Sequence, residues 1–283
     1  MNRAQQQHHF LLQKNIILSK NPSSFYQTGD VDLSFVTAID FTGSNGESSS
    51  FFSFHTNDPE KKKAAAAEMY VAAVKEIGSC LETYDSDGKF PAYGFQGEHC
   101  FPLNGIEAEP CVQGIDGMIS AFHQALGHVK LLGSTQFEPV IERAAKIAAL
   151  PPQHGEAHKY VAMIILTDGK FSDQQRIVEA MATVSQLPIT FVYVVVGEDP
   201  DGENTKVFEK LKSASRNYTN RDMIQIIQMH SLTGLSANAR SFSIARQMIK
   251  ELPTQLVTYY TSHNIMPSNT GGPAFGVVSL LSV

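Results

Sequence analysis

Apolar residues along this chain follow two rhythms: short runs rich in β-branched and aromatic residues, and longer stretches where apolar side chains recur every three or four positions. The first rhythm occupies residues 31–39, 160–166 and 189–196, bounded by polar or turn residues, and predicts buried strands. Residues 90–95, interrupted by Pro91, and 224–229 predict two more. The second rhythm is clearest over 64–84, where Met69, Val71, Val74, Ile77 and Leu81 share one helical face. Further helices are predicted over 115–126, 135–149, 175–186, 205–213 and 237–262, the second of these stopped by Pro151-Pro152, and a loop over 104–111. Strands that alternate with helices imply an α/β fold whose mostly parallel sheet is covered on both faces. No repeat of solenoid period is present.

The periodic part is flanked by segments of another character. Residues 1–24 mix Gln5-Gln6-Gln7 and His8-His9 with a short apolar run and end at Asn21-Pro22-Ser23-Ser24, so they read as a lead-in. Residues 266–283 carry Pro267, Gly271, Gly272, Pro273 and Gly276 before an apolar end, and read as a flexible tail. One folded domain over 25–265 is the simplest division, since 283 residues suffice for a sizeable core.

Charge and cysteine content remove several function classes. The formal net charge is −6 and the basic residues are scattered, which argues against a nucleic-acid footprint; the run Lys61-Lys62-Lys63 reads as a solvated face. No apolar stretch reaches the length needed to cross a bilayer, and the N-terminus lacks a signal-peptide core. Cys80, Cys100 and Cys111 contain no Cys-x-x-Cys pair, and His99-Cys100 with Cys111 lacks a fourth zinc ligand; a reducing cytoplasmic setting is expected. The sequon at Asn217 would matter only on a secreted chain.

The candidate chemistry begins where the first strand ends. Asp40-Phe41-Thr42-Gly43-Ser44 places a carboxylate and two hydroxyls at alternating positions, where a turning backbone can aim all three at one point. Hard divalent cations select such oxygen donors; the alternative is a turn in which Asp40 accepts its own backbone N–H groups. Thr135 in Gly133-Ser134-Thr135 opens a helix, and Asp168 ends the run Ile164-Ile165-Leu166-Thr167-Asp168. In an open parallel sheet ligands gather outside the strands' C-terminal ends, so Asp40, Thr42, Ser44, Thr135 and Asp168 are expected to share one site. Taken alone, Asp168 also reads as a helix N-cap.

This pattern resembles the metal-ion-dependent adhesion site of a von Willebrand factor A domain. Ala38-Ile39-Asp40-Phe41-Thr42-Gly43-Ser44-Asn45-Gly46, the run from Tyr84-Asp85-Ser86-Asp87-Gly88 to Phe95, and Leu252-Pro253-Thr254-Gln255-Leu256 to Tyr260 are similar, in order, to the A domain of copines. The similarity covers about residues 25–267; the segment 48–63 departs from the usual shorter, more polar copine loop. The resemblance implies a von Willebrand factor A-like, Rossmann-like three-layer sandwich with a six-stranded, mostly parallel sheet. It further implies a divalent-cation-dependent module that recruits intracellular proteins, a partner's Asp or Glu completing the octahedron. Mg²⁺ is the expected ion, Mn²⁺ should substitute and Ca²⁺ fits less well, while the equivalent of Asp168 often acts through water. In a complete copine two calcium-dependent lipid-binding modules precede the A domain, so this chain is expected to be the A domain alone, cytoplasmic and reaching membranes only through those modules.

Enzymatic readings find less support. A nucleophile elbow needs glycine two positions before Ser44, where Thr42 stands; no P-loop occurs, and no histidine falls in a pattern that places it beside Ser44. Metal-assisted phosphoester hydrolysis and a metal-independent scaffold remain the alternatives, and the ring cysteines of plant ubiquitin ligases with a similar domain are missing.

Overall fold

The computed structural model describes residues 31–43, 59–84, 88–131, 133–152, 158–171, 173–197, 199 and 201–265. Ser44, the lead-in, the tail and the divergent residues 48–54 lie outside them. The chain runs through β1 (Val31–Asp40), α1 (Pro59–Tyr84), β2 (Lys89–Gln96), β3 (His99–Pro102), β4 (Cys111–Gln113), α2 (Gly114–His128), α3 (Glu138–Ala148) and β5 (His158–Thr167). It continues through α4 (Gln174–Thr183), β6 (Ile189–Val195), α5 (Glu203–Thr219), β7 (Ile224–Gln228), a 3-10 turn (Met229–Leu232) and α6 (Ala237–Ser262).

The sheet has the order β3-β2-β1-β5-β6-β7, with β4 paired to β2. Strands β2, β1, β5, β6 and β7 are parallel to their neighbours, whereas β3 and β4 run antiparallel to β2. Among the described residues the sheet therefore has seven strands rather than the six the resemblance implies: the five that periodicity predicts and two short ones that escape it. Their cause is local: Asn104 donates to the carbonyls of Glu109 (2.8 Å) and Cys111 (3.3 Å) and accepts from Ile106 N–H (3.0 Å), which folds the expected loop back onto β2. Pro91 is tolerated in β2 because the pairing with β1 begins only at Ala92.

Alternation along the central strands sorts the core into two layers. Tyr160, Ala162, Ile164 and Leu166 of β5 pack under α1, α2 and α6, while Val161, Met163 and Ile165 face α3, α4 and α5. This is the three-layer arrangement the pattern predicts. Helix α3 starts at Glu138 rather than 135, so Thr135 stays in the loop, and α5 extends to Thr219 because Phe208, Leu211, Ser215 and Thr219 bury one face. No helix among the described residues is long and apolar enough to cross a membrane.

Chain order and sheet order together create the crevice that matters. After β1 the chain moves outward to β2, and later returns to add β5 on the opposite side of β1. The helices that follow these two strands in chain order, α1 and α4, lie on opposite faces, so the connections diverge above the adjacent ends of β1 and β5. Such a switch point is where α/β sheets bind ligands.

Candidate functional site

Register sets the site. Ile39 pairs with Leu166, so Asp40 ends β1 beside Thr167 at the end of β5, with Asp168 one residue beyond. Asp40 Oδ1 accepts from Thr42 N–H at 2.9 Å and from Thr42 Oγ1 at 2.6 Å, and Oδ2 accepts from Thr167 Oγ1 at 2.8 Å. Thr42 Oγ1 lies 2.9 Å from Thr135 Oγ1. A hydroxyl has one proton. With that of Thr42 given to Asp40, Thr135 donates to Thr42 and keeps its own lone pairs for another partner.

Each loop is fixed by a phenylalanine next to its polar residues. Phe41 is buried edge-on between Phe101 and Phe122, both centroids 5.5 Å away. Phe137, just after Thr135, packs on Tyr193 at 5.0 Å and Phe171 at 5.4 Å, and Phe171 follows Asp168 by three residues. Gly43 N–H donates to Gly133 O at 3.2 Å and ties the first loop to the second. Gly133 has φ +74 and Gly169 φ +88, backbone that glycine adopts without strain.

Two carboxylates are thus brought into one buried crevice. Asp40 is 2% exposed and Asp168 4%. Burial, and then the charge of Asp168, push the Asp40 carboxyl up to about 7, against the lowering effect of the Thr42 and Thr167 hydrogen bonds. Asp168 Oδ1 accepts Lys170 N–H at 3.2 Å in a turn, and the N-cap of α4 is Asp173, not Asp168.

Of the five residues the sequence nominates, Asp40, Thr42 and Thr135 are joined by hydrogen bonds and Asp168 adjoins them electrostatically; Ser44 is outside the described residues. Thr167 was missed. It sits between an apolar strand and a conspicuous acid, and the signal that could have found it was its place opposite Asp40 once β1 and β5 are paired. Among the described residues no group of three or more His, Cys, Asp or Glu is arranged to hold a metal; the donors here are two carboxylates supplemented by hydroxyls. That set is rich in hard oxygen and fits a small divalent cation.

Comparison with known proteins gives consistent relatives. A family model described as Copine matches residues 53–268. Protein BONZAI 2 of Arabidopsis thaliana is 36% identical over 259 residues, covering 87% of this chain, and Protein BONZAI 1 of the same plant is 34% identical over 254 residues, covering 86%. The chain spans 42% of the length of each. Among solved structures, a von Willebrand factor type A protein from Catenulispora acidiphila aligns at 18% identity and TM-score 0.44, over 78% of this chain and 43% of that one. Manganese-loaded Plasmodium vivax TRAP protein aligns at 11% identity and TM-score 0.44, over 78% and 74%.

Proposed function

The chain belongs to the copine family, and we propose that it is a protein-binding module gated by a divalent cation held between Asp40, Thr42, Ser44, Thr135 and Asp168. The supporting observation is the buried pair of acids at the switch point. Two carboxylates with little exposure, one of them, Asp40, with its protonation threshold raised by burial and by the other's charge, are costly alone and become favourable around a cation. Mg²⁺ takes oxygen ligands in an octahedron and keeps part of its water, so the bound ion would retain an exchangeable position for a partner's oxygen. An Asp or Glu side chain of a partner fills that position. Mn²⁺ substitutes for Mg²⁺ because it accepts the same donors, and Ca²⁺, which prefers more ligands at longer distances, fits less well.

The expected partner is an intracellular protein, and in a longer copine the module would act beside calcium-dependent lipid-binding modules. A pull-down from cell extract with and without chelator tests the reading. Partners retained only with Mg²⁺ or Mn²⁺, and lost from Asp40→Ala, support it. Partners retained equally in chelator favour a metal-independent scaffold, and phosphoester turnover that requires the metal would point to the hydrolase alternative.

A further inference from the structure

We propose that Thr167, which is not among the five donors, is the positioning residue of the site: its hydroxyl holds the Asp40 carboxylate in the orientation that receives the cation. This rests on the reading of the crevice as a cation site. The geometry is specific. Thr167 is fully buried; its Oγ1 donates to Asp40 Oδ2 at 2.8 Å and accepts from Gly169 N–H at 3.3 Å. One hydroxyl therefore clips the acid ending β1 to the backbone of the loop that carries Asp168.

The clip acts on the carboxylate oxygen that Thr42 does not reach. Asp40 Oδ1 is oriented by Thr42 N–H and Oγ1, and Thr167 supplies a donor at the other oxygen, so hydrogen bonds at both oxygens define the carboxylate plane. The position suits a β-branched residue, since Thr167 ends a strand buried on both faces and a stiff χ1 keeps the hydroxyl aimed. Gly169 contributes from the other side. Its φ of +88 turns the chain so that its N–H points back to Thr167, and a Cβ there would lie 3.0 Å from Val195 and 3.1 Å from Asn204. Partners that orient a metal ligand from behind typically govern affinity by 10–100-fold.

The test uses the full chain stripped with chelator and titrated calorimetrically with Mg²⁺ and then Mn²⁺. Thr167→Val keeps the shape and removes the hydroxyl, and Thr167→Ser keeps the hydroxyl and removes the methyl. We expect Thr167→Val to raise the Kd for Mg²⁺ by about 10–100-fold and Thr167→Ser to restore the wild-type range. Thermal unfolding in chelator verifies that each variant is folded; if Thr167→Val is not, Thr167→Ala takes its place. Wild type that binds while Thr167→Val binds equally well overturns this inference alone. Wild type that binds neither ion overturns the proposed cation site and the inference with it.

Discussion

Asp40 ends β1 and Asp168 follows the end of β5 beside it, both buried, and the charge of Asp168 adds to desolvation in pushing the Asp40 carboxyl up to about 7. In the metal-free protein this opposes folding at neutral pH. A carboxyl whose folded pKa lies above its unfolded value of 3.8 binds more protons when folded, so stability falls as pH rises from about 4 to about 7. The full effect is on the order of 4 kcal/mol. Urea unfolding in chelator at pH 5 and pH 8 should show the loss, and Asp40→Asn, which cannot ionise, should remove most of it; equal slopes in the two proteins would contradict the assignment.

Phe137 is the anchor of the loop that carries Thr135. Its ring is fully buried against Phe95, Tyr193 and Phe171, with no side chain capping the helix it precedes. Phe137→Ala should lower unfolding free energy by about 3–5 kcal/mol. Chemical denaturation measures this directly, and a loss under 1 kcal/mol would mean the loop is held by something else.

Arg221 closes the opposite end of the sheet. Its guanidinium donates to the carbonyls of Ser185 (2.9 Å), Leu187 (2.6 Å) and Ile189 (3.0 Å) and lies over the Tyr259 ring at 5.1 Å, joining the start of β6 to α6. A lysine has the charge without the planar fork. Arg221→Lys should cost about 1–3 kcal/mol in urea unfolding while leaving Mg²⁺ affinity at its wild-type value, because the fork lies at the far edge from Asp40.

Gly94 permits the antiparallel hairpin to close over the first loop. A Cβ at this position would fall 2.6 Å from the Phe101 ring and 2.9 Å from Phe41. Gly94→Ala should destabilise by about 1–3 kcal/mol, and since Phe41 is the immediate neighbour of Asp40 and Thr42, it should weaken cation binding as well. A variant with unchanged melting temperature would show that the rings shift freely.

Periodicity located the strands that pair in parallel and the helices on both faces, because a fully buried strand such as β5 leaves an unbroken apolar run. It failed where structure depends on pairing and packing partners rather than on the pattern of the segment itself. Strands β3 and β4 are four and three residues long and exist through pairing with β2. The second half of α5, with Ser213, Ser215 and Asn217, has poor local propensity and is helical because Ser215 and Thr219 pack inward, ending at Asn220 in left-handed backbone with φ 56. Nomination of the site was limited in the same way: acids and hydroxyls at strand ends are visible in sequence, but the bond from Thr167 to Asp40 spans 127 positions and follows from register.

Cation binding in the crevice above β1 and β5 is the property on which the proposed function depends. Calorimetric titration of the chelator-stripped chain with Mg²⁺ and Mn²⁺, beside Asp40→Ala and Ser44→Ala, tests it most directly. One site per chain is expected in the wild type, filled by either ion, and no measurable binding in Asp40→Ala with the fold retained. Wild-type protein that takes up neither ion, or Asp40→Ala that binds with unchanged affinity, would contradict it.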